Sequence, residues 1–203
     1  MSHLMLGTLP WVPAPSRPDL LAPTVAAALD RGPGDPAEVM VAPIDPELAD
    51  TAAFCDAYGV TLEVSANCVV VAGKRSGETR LAAVVVLATT RADVNNLVRR
   101  RIDARKASFA PMDLAVAETG MEYGGITPIG LPPDWPLLID RAVVATPEVI
   151  LGSGLRRSKL ALPGAWLTGL PGAEVVDGLG LYPSPQPQAE PAEPEAGERF
   201  PVE

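Results

Sequence analysis

Three observations predict a single α/β domain. Residues 68–72 and 81–88 are continuous apolar runs rich in valine, the pattern of strands buried on both faces. Segments with apolar residues at helical spacing lie before and after them. With 203 residues and 47% apolar composition, the chain suffices for one ordinary core plus tails, and two domains would be cramped.

Residues 1–22 are rich in proline and polar breakers and read as an extended arm that packs only in part. The domain proper is expected over 23–182. Pro23 opens a first helix, and Arg31-Gly32-Pro33-Gly34 ends it. Residues 38–42 read as a strand. Asp45 then caps a second helix with Pro46 at its first position and Gly59 at its end, its apolar face being Leu48, Ala52, Cys55 and Tyr58. The two long strands follow, joined by a polar, glycine-containing link over 73–79. Thr90 is the expected cap of a third helix that turns Val94, Leu97, Val98 and Ile102 inward and its arginines outward. Residues 106–109 form a short strand, and Pro111 and Asp113 start a helix that stops at Thr119-Gly120. Further strands are expected at 137–140, 149–154 and 159–162, the last two around the basic turn 155–158, with a short helix opened by Pro163 and Gly164. Residues 183–203 repeat Pro, Gln, Glu and Ala. They cannot bury enough apolar area to offset about 1–2 kcal/mol of ordering entropy per residue, so disorder is expected.

Composition excludes several chemistries. The one histidine, His3, lies in the N-terminal arm, so the body has no Ser-His-Asp triad, no Cys-His pair and no histidine-rich zinc site. Cys55 and Cys68 read as buried free thiols. No cofactor or metal is expected. Nothing approaches the roughly 18–20 apolar residues of a membrane span, and the first ten residues lack a signal-peptide pattern, so a cytoplasmic location is expected. The net charge of −9 disfavours nucleic acid at first sight, but the tail carries −4 of it and leaves −5 on the body. The body's cations cluster: Arg99, Arg100, Arg101, Arg105 and Lys106 in one segment, Arg156, Arg157 and Lys159 in another. Such clusters are either a solvated face or a patch that holds a phosphate backbone.

The stretch Gly124-Gly125-Ile126-Thr127-Pro128-Ile129-Gly130 concentrates residues that reach unusual backbone shapes and let other atoms approach the main chain. It reads either as a helix stop with a tight turn or as a loop that aims main-chain groups at a ligand.

The loop, the helix end Ala57-Tyr58-Gly59-Val60, the strand Asn67-Cys68-Val69-Val70-Val71, the segment Arg105-Lys106-Ala107-Ser108-Phe109-Ala110 and the turn Gly152-Ser153-Gly154 occur in an order that resembles the YbaK/EbsC family, the domain associated with prolyl-tRNA synthetase editing. The similarity covers about residues 36–170. It implies a mixed, strongly curved sheet flanked by helices. It also implies a free-standing aminoacyl-tRNA deacylase that acts in trans on mischarged tRNA, alanyl or cysteinyl tRNA for proline above all, with prolyl-tRNA synthetase as a further partner. On this resemblance Gly124, Gly125, Thr127 and Asn67 are candidate catalytic residues. Pro128, Ser153, Gly154, Lys106 and Asp140 would bind substrate, Asp140 being equally readable as a helix cap. Arg99, Arg100, Arg101, Arg105, Arg156 and Arg157 would meet the tRNA. An aminoacyl ester is already activated, so a positioned water and oriented main-chain donors can cleave it without a protein nucleophile.

One departure stands out. Asn67 occupies the place where bacterial relatives of this kind usually carry a lysine held important for substrate. Either Lys106 or Arg105 supplies the charge from a neighbouring strand, or the ligand differs, or the protein binds without turnover. The sequence leaves oligomeric state open.

Overall fold

The computed structural model describes residues 6–183; His3 and nearly all of the acidic tail lie outside them. Two sheets and a small ribbon carry the chain. In order, the elements are β1 (Val12–Pro13), α1 (Pro23–Leu29), β2 (Met40–Pro43), α2 (Thr51–Tyr58), β3 (Ala66–Arg75), β4 (Glu78–Leu87) and β5 (Arg91–Ala92), followed by α3 (Arg99–Arg101), β6 (Lys106–Phe109), α4 (Met112–Thr119) and β7 (Leu137–Asp140). The chain continues through α5 (Arg141–Ala145), β8 (Val149–Gly152), β9 (Ser158–Leu162), β10 (Ala173–Val176) and β11 (Gly180–Leu181). The first sheet has the order β1-β2-β9-β8 and is antiparallel throughout. The second has the order β10-β7-β4-β3-β6 and is mixed, β7 running parallel to both β10 and β4. A parallel bridge between Ser65 and Ile150 links the start of β3 to β8, so the sheets lean on one another without closing.

The apolar runs form the β3–β4 hairpin as expected, Cys68 opposite Val85 and Val71 opposite Ala82. Successive residues point to opposite faces and both faces are covered, which is why neither run alternates. Val85, Ala83 and Ala66 join the main core with Ile139, Leu137, Met121 and Ile129, whereas Val84, Val86 and Val71 pack against Val94, Val98 and Ile102. The mixed sheet agrees with the architecture expected from the sequence.

Local chemistry moves several boundaries. Asp45 does cap a helical turn, but only the 3-10 turn Pro46–Leu48; Asp50 restarts the chain as α2 by accepting the Ala52 N–H at 3.1 Å. The restart rotates the helix, burying Phe54 and Cys55 and leaving Ala52 exposed. Thr90 is not the cap of the third helix, since its hydroxyl donates to the Leu87 carbonyl. Asp93 takes that place, accepting from the Asn96 and Leu97 N–H groups at the head of a π-helical turn, Val94–Val98, that runs into α3. The N-terminal segment packs far more than an arm would: Leu6 and Leu9 enter one core cluster, and Ala14, Leu20, Leu21 and Ala22 enter the main one. Proline supplies its turns but does not keep its leucines in solvent.

Asp93→Ala is expected to lower unfolding free energy by about 1 kcal/mol, as loss of an N-cap does, with Thr90→Ala costing clearly less. Urea unfolding of the two variants separates the cap the structure uses from the one the sequence suggests.

Candidate functional site

The site is a seam where the glycine loop meets the turn between β8 and β9. The Gly154 N–H donates to the Gly125 carbonyl at 2.8 Å, the Glu122 N–H to the Gly154 carbonyl at 2.9 Å, and the Arg156 N–H to the Glu122 carboxylate at 2.6 Å. Main chain touches main chain here. A Cβ on Gly125 would stand 2.6–2.8 Å from the Leu155 backbone, and one on Gly152 would land on the Gly125 carbonyl. Gly124 lies on the open side, at φ 85°, a left-handed shape that suits glycine. The main-chain N–H groups of Gly124 and Ile126 donate to no acceptor among the described residues. Thr127 and Pro128 are buried behind them. The Thr127 hydroxyl has no hydrogen-bond partner among the described residues, and its N–H reaches only the Met121 sulfur at 3.5 Å.

Across the seam stands the first turn of α2. Asn67, half-buried on β3, accepts from the Thr51 hydroxyl at 2.7 Å. Arg156 spans the gap, its guanidinium donating to the Tyr123 carbonyl at 3.1 Å and to the Pro46 carbonyl at 3.0 Å. Beneath lies Lys159, only 7% exposed, whose ammonium donates to the Ala49 carbonyl at 3.0 Å and sits 5.1 Å from the centre of the Phe54 ring. Burial pulls its pKa from 10.5 down to about 8, with Arg156 adding to the drop and Cys55 and Asp50 opposing it.

The remaining predicted residues divide by position. Gly125 is packed against the Leu155 backbone, so its α-carbon faces protein and not a ligand space. Ser153 is fully buried, and its hydroxyl is engaged with Ser158 and with the Leu155 and Ser158 carbonyls. A Cβ on Gly154 would run into Ala22. Asp140 caps α5 through the Ala142 N–H at 2.8 Å and takes the Gly180 N–H at 2.6 Å, so of its two readings the cap is the one the structure uses. Arg157 donates to the Asp19 carbonyl at 2.8 Å, and Arg101 pairs with Glu174. Lys106 stands opposite Lys74, seven residues along β3 from Asn67. At about 3.3 Å per residue that is about 23 Å, too far for Lys106 or Arg105 to lend charge to the seam. Both instead line a groove of about 600 Å³ with Lys74, Arg75 and Ser76, and Arg99 borders an adjoining groove with Arg75 and Arg105.

Lys159 groups by its sequence neighbours with Arg156 and Arg157, and the structure separates it from them as the one charge within the buried strand β9. The apolar residues Leu160-Ala161-Leu162 that follow it were the available signal. A larger opening of about 770 Å³ lies elsewhere, lined by Arg80, Arg101, Asp103, Glu118 and Asp134. Its charges are mixed, whereas the seam gathers free main-chain donors, an unpaired buried hydroxyl and a buried amine.

A family model described as an aminoacyl-tRNA editing domain matches residues 45–169, which include the seam and the basic grooves. The chain belongs to the aminoacyl-tRNA editing domain family. Among solved structures, this editing domain is similar in fold to a proposed trans-editing enzyme for prolyl tRNA synthetase, with TM-score 0.64, 22% identity, and coverage of 77% of this chain and 94% of the other. It is similar also to the hypothetical protein APE2540, with TM-score 0.59, 23% identity, and coverage of 68% and 88%. No curated protein matches it significantly. No described helix of the editing domain is long and apolar enough to cross a membrane. Cys55 and Cys68 are free thiols, the first buried and the second half-buried, and desolvation of the Cys68 sulfur pushes its pKa up to about 12.

Two outcomes follow from this geometry. Gly125→Val is expected to destabilise the fold by about 3 kcal/mol or more, since a β-branched side chain overpacks backbone that has nowhere to move; a lowered midpoint in thermal unfolding checks it. Lys159, with a folded pKa near 8 against 10.5 unfolded, binds fewer protons folded than unfolded between those values. Stability relative to Lys159→Met is therefore expected to rise as pH climbs from about 8 to 10.5. Denaturant unfolding of both proteins across that window reads the slope.

Proposed function

We propose that this editing domain hydrolyses the ester of mischarged tRNA in trans, with alanyl or cysteinyl tRNA for proline as the leading substrates and prolyl-tRNA synthetase as a working partner. The observation that carries the reading is the pair of unengaged N–H groups at Gly124 and Ile126 beside the buried hydroxyl of Thr127. The two N–H groups fit the carbonyl oxygen of an acyl ester and the negative charge it gains when water attacks, with the Thr127 hydroxyl buried behind them. One oriented donor of this kind is typically worth about 2.7–4 kcal/mol of barrier. With water and ester held together in the seam, the proximity term adds to it. The proton has an acceptor in the substrate's own hydroxyl or amine, which suits a described body without histidine.

Asn67 lends its amide to the same seam, fixed by Thr51. The cations Lys74, Arg75, Arg99, Arg100, Arg105 and Lys106 suit the phosphates of the tRNA body, the Lys74–Lys106 pair standing about 23 Å along β3 from Asn67. Glu78 and Asp103 lie among them, so the patch is moderately and not overwhelmingly basic.

A second reading has one specific observation in its favour: an amide stands at Asn67 where the resembling family usually has a lysine, and binding of an aminoacyl-adenosine end without turnover would need no such charge.

A panel of mischarged tRNAs at low salt tests the first reading. Ester loss well above the uncatalysed rate on at least one member is expected, and background rates throughout at micromolar protein would reject it. Gain of activity in Asn67→Lys from an inactive parent would favour the second. Under the first reading, Arg105→Glu with Lys106→Glu is expected to raise KM about tenfold or more while kcat changes little, and to flatten the salt dependence.

A further inference from the structure

We infer that the Lys159 ammonium is the cation of this site and meets the acyl carbonyl of the bound ligand, entering from β9 where a family-type lysine at position 67 is absent. The inference rests on the reading proposed above and deepens it. Sheet register sets the position. Lys159 lies directly opposite Gly152 in the antiparallel β8–β9 pair, and opposed residues of such a pair share a face. That face of Gly152 is covered by the Gly125 and Ile126 carbonyls. Lys159 is therefore next to the glycine loop on one flank. On the other flank its ammonium touches Ala49, just before α2, and Phe54 on the first turn of α2, whose Thr51 holds Asn67.

The hydrogen bonding of the amine is incomplete. An ammonium has three N–H donors, and the described protein provides one hydrogen-bond acceptor, the Ala49 carbonyl, together with the face of an aromatic ring. No carboxylate forms an ion pair with it among the described residues; Asp50 capping α2, Cys55 on α2 and Arg156 on the turn are the ionisable groups that influence it. A lysine serving only to pack β9 against α2 would be better replaced by an apolar residue, because a buried charge short of partners opposes folding. A ligand oxygen delivered between Gly124 and Asn67 would supply the missing acceptor. As negative charge grows on that oxygen, the contact strengthens, so the amine assists the reaction without giving up or taking a covalent bond.

The chain has three lysines, of which Lys74 and Lys106 are exposed and serve as controls. With lysine side chains labelled with carbon-13, the full-length protein is titrated with adenosine carrying an alanyl group through a 3′-amide, which water does not cleave. The Lys159 signal is expected to shift saturably while Lys74 and Lys106 stay in place, and Lys159→Met is expected to weaken binding of this probe at least tenfold, with Lys159→Gln in between. If backbone signals at Gly124 and Thr127 saturate with the probe but Lys159 is unmoved, or if Lys159→Met binds within twofold of the parent, the lysine assignment is wrong and the site stands. If no signal saturates, the proposed function falls and the assignment falls with it. The titration of the parent decides the matter even where Lys159→Met fails to fold.

Discussion

The structure depends on an approach of main chain to main chain, the Gly125 carbonyl lying against Gly152 and receiving the Gly154 N–H at 2.8 Å. No side chain larger than hydrogen fits at either glycine without displacing backbone. Once made, the contact fixes the loop on the end of the first sheet and leaves Gly124 and Ile126 with their N–H groups unclaimed. Rigid support for a few free donors is what stabilisation of a developing oxyanion requires, because donors that must reorganise during reaction contribute less. The glycines thus act at one remove: Gly125, Gly152 and Gly154 build the seam, and Gly124 borders its open side.

Charge is divided between two places with different work. The hairpin end of β3 and the segment through α3 and β6 carry exposed cations, suited to a phosphate backbone through long-range, salt-sensitive attraction. Arg156 and Lys159, near the seam, are held by backbone carbonyls and cannot wander. Arg156 ties Tyr123 to Pro46, so the loop and the entry to α2 are joined across the gap by a cation with no ion-pair partner among the described residues. An overall acidic chain in this way keeps an exposed basic edge apart from a seam with two held cations and unengaged main-chain donors.

Much of this was legible from residue pattern. The β3–β4 hairpin was legible because burial on both faces leaves an unbroken valine-rich run, and the glycine loop was legible because few other residues make so dense a set of turns. What escaped was decided by tertiary contact. Asp45 caps only the 3-10 turn before α2, Asp50 caps α2 itself, and Asp93 takes the place expected of Thr90, since each segment could start at more than one oxygen and packing chose between them. The N-terminal leucines were hidden by surrounding prolines. Ser153 and Asp140 were candidates through the resemblance, Asp140 equally as a cap, and both satisfy hydrogen bonds of the frame. Lys106 was a candidate to supply charge beside Asn67 from a neighbouring strand, but pairing with Lys74 carries it to the far end of β3 from the seam. Lys159 was the converse case, a residue placed by sequence in a surface cluster and by register in the interior.

The central claim is that the acyl end of the ligand lies in the seam between the glycine loop and α2. A crystal structure of this chain with a non-hydrolysable aminoacyl-adenosine tests it most directly. The account predicts the acyl carbonyl within hydrogen-bond distance of the Gly124 or Ile126 N–H, with Asn67 and Thr127 at its side and the adenosine leading outward. Density for the ligand in the opening lined by Arg80, Arg101 and Asp134, with the seam unchanged, would contradict it.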